Sequence, residues 1–562
     1  MIMRKILKLA ALSCVSILVC LSSCTKPEPE DIKKPVPTPP STSGSSGVVG
    51  TVTCNGRPVS GVAVSDGIDV VKTDENGRYK LSTEKATGIV FITPPSGYVP
   101  VSTDGVKPDF YAHLKNDFSE ETHDFELREE NQENYSIMFF ADLHLTNADF
   151  KPDLKVFREI VMPNVKRVAA EAAASGPVYS VNLGDLSHER WWYKYSYNVQ
   201  NAYKTLVEND FPTLLWSIPG NHDNDSAIRS DNTDWDAGHM YRKALGPEYY
   251  SVNIGNEHWV FLDNIKYINS SGSGLAVGAV GKLDYDHAVS SRQMKWLRRD
   301  IAMVPSDMNV VICSHATIIS DSSKGYSGTK SQVDSLAVMF KRFKTKVFYN
   351  GHGHVMGFFD SKLYSGFKGV KIPATSGDMW ESAPHYLLGL DGEEGGIYVV
   401  NFKGDERTDR YSTHQYGDKW MRIYDMNKVA DYYNADANVR AQMEKYPKRL
   451  DYGNGTYKNQ ILINYWMHKP GQKVQVFEDG KALSVKSVTY EDPLFNICYH
   501  IRTFLKQLPI TPSQTTVTAK HMFVAQAKTA TSPVTVRILD ESGKVIREET
   551  LVRPKDFGPD ME

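Results

Sequence analysis

A chain of 562 residues exceeds what one hydrophobic core normally holds, and domains of about 100 to 200 residues imply roughly three folded units. A hydrophobic content of 41% with 11% aromatics excludes a disordered chain, and a formal net charge of -3 gives no electrostatic ground for a nucleic-acid partner.

The first element is an export signal over residues 1–24: Arg4, Lys5 and Lys8 precede an apolar run from Leu9 to Leu21 that closes in Leu-Ser-Ser-Cys. That run is shorter than the roughly 18 to 20 residues that span a bilayer, so a permanent membrane helix is disfavoured. Cys24 resembles the acylated cysteine of bacterial lipoproteins, which implies an exported protein of the outer membrane, facing the periplasm or the cell surface and tied to the membrane by its lipid. The plainer reading of the same residues is a cleaved signal with an incidental cysteine. Cys14 and Cys20 fall in the signal, leaving Cys54, Cys313 and Cys498 too scattered for a disulfide framework or a thiolate metal site.

Residues 25–47, rich in Pro, Ser, Gly and charge, read as a mobile tether. Over 48–129, short alternating stretches broken at Asn55-Gly56, Asp66-Gly67 and Asn76-Gly77 predict a small antiparallel sandwich. It resembles the carboxypeptidase regulatory-like sandwich through GxVxxxGRPVxGVxVSDG and TDENGRYKL. From 135 to 373, apolar strand runs (SIMFFAD, VYSVNLGD, TLLWSIPGN, WVFLDN, NVVICSH, KVFYNGH) alternate with helical periodicity, the pattern of a layered α/β domain. Over 374–562 the runs IYVVNF, QILINYW, VQVFEDG, TVTAKHMFVAQA and VTVRILDESGK predict a second β-sandwich. The expected fold is thus an α/β sandwich flanked by two β domains.

Five central strands finish in residues able to bind metal: Asp142 and His144 in FADLH, Asp185 in LGD, Asn221 to Asp223 in PGNHD, His315 in CSH, and His352 with His354 in GHGH. Carboxyl ends of strands in open α/β sheets form the crevice where ligands bind, so residues distant in sequence can converge there. Imidazoles, carboxylates and an amide oxygen suit divalent or trivalent first-row metals such as Mn, Fe or Zn. Seven donors exceed the needs of one ion, and a carboxylate such as Asp185 can bridge two. Glycines 184, 220, 351 and 353 are expected where the strands turn sharply, and an extended GHGH would point both imidazoles to one side.

DLH, GD, GNHD, a lone His and GHGH, in that order, resemble the calcineurin-like metallophosphoesterases. The resemblance implies one ion on Asp142, His144, Asp185 and His354, a second on Asp185, Asn221, His315 and His352, a hydroxide between them as nucleophile, and a phosphomonoester or phosphodiester substrate. It also implies that His222 meets the leaving group. Asp223 either orients that imidazole or caps a helix. Where the serine/threonine phosphatases of that superfamily carry GDxxDR this chain has GDLSHE, which puts His188 in place of the acidic partner of the catalytic histidine and disfavours a protein phosphatase.

His188, Trp380 and His385 are candidates for contact with substrate, as is the aromatic run Trp191, Trp192, Tyr193, Tyr195 and Tyr197, although aromatics at such spacing usually pack. The rival reading from another class is a glycan-binding surface protein with a relic metal site. The intact donor set argues against it, since unpaired buried polar groups cost roughly 1 to 3 kcal/mol each.

Overall fold

A computed structural model describes residues 46–228, 234–269, 283–508 and 519–562. The expected signal, Cys24 and nearly all of the tether lie outside the described residues. Among those described, no helix is long and apolar enough to cross a membrane. Cys54, Cys313 and Cys498 are buried and unpaired.

The centre is built from thirteen strands: β1 (Asn134–Phe140), β2 (Val178–Asn182), β3 (Leu214–Ser217), β4 (Tyr250–Ile254), β5 (Glu257–Leu262), β6 (Ile265–Asn269), β7 (Leu283–His287), β8 (Asn309–Ser314), β9 (Lys346–Asn350), β10 (Gly357–Asp360), β11 (Phe367–Lys371), β12 (Gly396–Lys403) and β13 (Glu406–Thr413). One sheet runs β3-β2-β1-β12-β13, with β1, β2 and β3 parallel; the other runs β4-β5-β8-β9-β11-β10, parallel from β5 through β11. Two-residue alternation splits β1 between two cores: Ile137 and Phe139 face the second sheet, where Phe139 stacks on Tyr349 at 4.3 Å and meets Trp259 at 6.2 Å. Met138 and Phe140 face outwards to Val165 and Leu206 on helices α1 (Met162–Ala173) and α2 (Val199–Glu208). A strand covered on both faces needs the unbroken apolar run SIMFF.

The N-terminal unit forms two small sheets and rests on the edge of the second central sheet, but it is not wholly antiparallel as its turn signals predict. Ser46–Cys54 pairs parallel with Glu121–Thr122 and Phe125–Glu129, because these partners return to it from far along the chain and not through a tight turn. Tyr249 donates to the Gly67 carbonyl at 2.7 Å, and the hydroxyls of Thr93 and Ser251 meet at 2.9 Å.

The C-terminal part departs from an all-β sandwich in two ways. IYVVNF is β12, which lies antiparallel to β1 in the middle of the first central sheet, so that sheet recruits β12 and β13 from beyond residue 374. The remainder holds two four-stranded sheets, as expected, but also helices Met426–Ala435 and Ala437–Lys445. Asp425 and Asp436 cap them by accepting backbone N–H bonds, and Met426, Val429 and Tyr433 supply the buried stripe.

Candidate metal centre

The loops at the carboxyl ends of β1, β2, β3, β8 and β9 bring together all seven expected donors. His144 Nε2 lies 3.1 Å from His354 Nε2, which is 3.4 Å from Asp142 Oδ1. His315 Nε2 lies 3.0 Å from Asn221 Oδ1, 3.1 Å from His352 Nδ1 and 3.3 Å from Asp185 Oδ2. The same Asp185 oxygen stands 3.8 Å from His144 Nε2, so Asp185 faces both groups.

These separations fit bound cations. Donors about 2.0 to 2.1 Å from one ion stand about 3 to 3.4 Å apart at tetrahedral or octahedral angles. Imidazole nitrogens facing each other at 3.1 Å cannot both offer a lone pair without a positive charge between them, and His144 Nδ1 is buried with no hydrogen-bond partner among the described residues. Asp142 and Asp185 are at most 1% exposed, and buried carboxylates need compensating charge. Burial opposes the charged form of His315, yet Asp185 outweighs it and lifts that ring to about 9; burial takes His352 down to about 3. Nδ1 of His315 contacts the Leu183 carbonyl at 2.7 Å, an arrangement that keeps its Nε2 lone pair directed at the centre.

The local backbone differs from the extended GHGH expected. His352 and His354 have φ of 63° and 51°, and Asp142, His144 and Asp185 also occupy the left-handed region, with φ of 52°, 46° and 55°. Non-glycine residues rarely do so, and clusters of them mark functional sites. Gly184, with φ of 99°, sits at a turn as expected and also at a close approach, since a Cβ there would lie 2.6 Å from His315 Nδ1; at Gly220 the need is close approach alone, a Cβ lying 2.1 Å from Asp185 Oδ1.

His222 borders the centre with a quarter of its side chain exposed. Its backbone N–H donates to Asp185 Oδ1 at 2.7 Å, and its Nδ1 stands 2.5 Å from Glu189 Oε2. Burial disfavours the charged ring, but Glu189, helped by Asp185, raises it to about 9. Asp223 therefore does not orient His222. Its carboxylate accepts from the backbone N–H groups of Gly220, Leu186 and Ser187, and so ties the Asp185 and Asn221 loops together. Glu189, absent from the expected set, is the orienting carboxylate. It follows His188 in a single 3₁₀ turn, so the acidic function is displaced by one residue from the position that His188 holds.

His188 packs against His222 at 4.1 Å between ring centroids and against His144 at 5.3 Å, with Nδ1 3.3 Å from Glu189 Oε2. Trp380 does not face substrate. It is fully buried, its indole N–H donates to the Leu143 carbonyl at 2.7 Å, and with Ser376 on the Asp142 carbonyl it clamps the Asp142–His144 loop from behind. His385 is 6% exposed and set beside the Tyr416 hydroxyl at 3.4 Å, which removes it from the substrate set too. In the aromatic run, Trp192 donates to Ser187 and Tyr193 to Asp225, so packing accounts for both.

Three family models match consecutive stretches of the chain: the N terminal of calcineurin-like phosphoesterase over residues 46–130, calcineurin-like phosphoesterase over 135–356, and the C terminal of calcineurin-like phosphoesterase over 371–545. Among solved structures, a dimetal phosphatase from Danio rerio aligns at 12% identity and TM-score 0.34, covering 49% of this chain and 95% of that one. GAP50, the anchor in the inner membrane complex of Plasmodium, aligns at 11% and 0.31, over 51% and 86%. A 5'-nucleotidase from Candida albicans aligns at 13% and 0.28, over 50% of this chain and 51% of that one. No curated protein matches the chain.

Proposed function

The chain belongs to the calcineurin-like phosphoesterases, metal-dependent hydrolases of phosphoester bonds, and on that footing we propose that it cleaves a phosphomonoester or phosphodiester at a two-cation centre with His222 as proton donor. The observation that carries this reading is the division of the donors into two groups, Asp142, His144 and His354 on one side and His315, His352 and Asn221 on the other, with Asp185 facing both.

In this reading Asp142, His144, Asp185 and His354 would hold one cation, and Asp185, Asn221, His315 and His352 the other. Two such cations supply a water activated at neutral pH and neutralise charge on the phosphoryl group. The chain's own residues do the rest. Glu189 fixes the His222 ring by accepting from Nδ1–H, so Nε2–H is the proton available to the departing alkoxide. The Asp185 carboxylate also receives the His222 backbone N–H, which locks the proton donor to the shared ligand. Asp223 keeps the two loops in register by holding three backbone N–H groups. Export with lipid attachment at Cys24 belongs to the same reading, and mass spectrometry of the membrane-bound protein tests it.

Metal analysis of the purified protein, paired with turnover of p-nitrophenyl phosphate and bis(p-nitrophenyl) phosphate, tests the activity. Turnover that requires metal and falls to background in Asp185→Asn is expected, and the ratio of the two rates assigns monoesterase or diesterase. A folded, fully metal-loaded protein inert on a broad phosphoester panel overturns the proposal.

A further inference from the structure

The two ring nitrogens of His352 have different neighbours. Nδ1 lies 3.1 Å from His315 Nε2, on the side assigned to the second cation, and Nε2 lies 3.2 Å from the phenol oxygen of Tyr285. A neutral imidazole carries one proton, so the nitrogen that lends its lone pair to a cation makes the other the donor. Tyr285 lies on β7, paired with β6 in a hairpin whose register sets Tyr267 opposite Tyr285. The hairpin is anchored to the domain by the Tyr267 N–H, which donates to Asp234 Oδ1 at 2.7 Å. Alternation along β7 puts Tyr285 and His287 on one face. Both rings meet His352 edge-on with centroids at 5.4 Å, and they lie stacked on each other at 5.7 Å. His287 is itself held by a hydrogen bond to Ser327. Two rings of one strand face thus pin the third.

We infer that Tyr285 is the positioning residue for His352: its oxygen accepts the Nε2–H proton, which turns the Nδ1 lone pair onto the second cation and leaves the phenol O–H to donate to a phosphoryl oxygen. This rests on the two-cation reading above. Tyr285 is half-buried, and among the described residues its hydroxyl has no second partner, so one side of the phenol is open to a ligand. No sequence motif marks it, because Tyr285 lies 67 residues from His352 and outside every strand-end signature.

Titration of the metal-free protein with Zn²⁺ by calorimetry tests the inference without turnover. Tyr285→Phe keeps the ring and removes the acceptor; second-cation affinity is expected to fall about 10- to 100-fold, the usual effect of losing the outer partner of a ligating histidine, with the first cation unchanged. Lys266→Gln, at an exposed position of the same hairpin, is expected to match the parent. Equal affinity in Tyr285→Phe and parent overturns the inference, and so does an equal loss in Lys266→Gln, which would make it an effect of hairpin packing. At saturating Zn²⁺, inorganic phosphate is expected to bind Tyr285→Phe more weakly; unchanged phosphate affinity overturns the donor half. Nitrogen-15 histidine spectra of the zinc-loaded parent need no variant: a proton on Nε2 of His352 is expected, and a proton on Nδ1 overturns the assignment.

Discussion

Glu189 Oε2 and His222 Nδ1, from the loops after β2 and β3, stand 2.5 Å apart, and the contact reshapes the titration of both. Burial opposes charge on each, yet the pair holds Glu189 down at about 2 and His222 up at about 9, so the two are charged together at neutral pH. Glu189→Gln keeps the shape and removes the charge. Its kcat is expected to fall about 10- to 100-fold, less than the roughly 100- to 10,000-fold that a general acid supplies because His222 itself remains, and more for an alkyl phosphate than for a p-nitrophenyl ester, whose leaving group needs little help. Equal losses on both substrates would assign Glu189 a purely structural part.

The same contact sets a pH limit. A proton donor works only while protonated, so activity is expected to decline as pH rises through the His222 value, about 9 before the repulsion of two neighbouring cations, which lowers it. In Glu189→Gln the largest raising influence is gone and burial dominates, so the basic limb of the kcat profile moves to lower pH. A limb that stays in place would mean that another group donates the proton.

How the site is legible in the sequence follows from what a motif can carry. Seven donors stand out because each ends an apolar strand, where a polar residue has no bland explanation. The shape of GHGH does not, since the left-handed φ of His352 and His354 is imposed by contacts such as the His352 N–H to Asp142 Oδ2, 2.9 Å away and 210 residues earlier. Glu189 is hidden by a 3₁₀ turn that shifts the acidic function by one position. Trp380 reads as a candidate for substrate because it follows the last metal motif, and only its long-range partner, the Leu143 carbonyl, shows otherwise. β12 reads as part of the C-terminal β domain because its apolar run IYVVNF says nothing about its partner, β1, more than 250 residues away in sequence.

Glycine positions give a prediction with a built-in contrast. A Cβ at Gly220 would meet Asp185 Oδ1 at 2.1 Å and the Asp185 backbone nitrogen at 2.4 Å, so Gly220→Ala must displace the shared carboxylate. At Gly353 the nearest atom is 3.7 Å away, ordinary contact. Metal content by mass spectrometry is expected to fall well below that of the parent in Gly220→Ala and to stay at the parent level in Gly353→Ala. Similar loss in both would show that general stiffness of the loops, rather than the approach to Asp185, governs binding.

Removal of metal should be felt by the backbone as well. Left-handed φ at Asp142, His144, Asp185, His352 and His354 costs of order 1 kcal/mol or more at each residue, and bonds to cations are what offset it. A cation at about 100 times its dissociation constant stabilises the folded state by about 2.7 kcal/mol, so chelation is expected to lower the melting temperature by about 5 to 10 °C in scanning calorimetry. Hydrogen exchange should quicken first at residues 351–354 and 142–144. Unchanged melting and exchange after verified metal loss would mean that the packed core alone holds these conformations.

Trp380 separates support of the metal loop from contact with substrate. Trp380→Phe deletes the indole N–H that satisfies the Leu143 carbonyl and leaves a small void in a fully buried site. An orphaned buried carbonyl costs about 1 to 3 kcal/mol, and the void adds to that. The variant is therefore expected to lose about 2 to 4 kcal/mol in denaturant unfolding, and to bind metal more weakly because Leu143 sits between Asp142 and His144. At saturating metal its KM should equal that of the parent, since the fully buried indole is engaged by the Leu143 carbonyl and presents no surface to a substrate. A raised KM with unchanged stability would put the ring on the substrate after all.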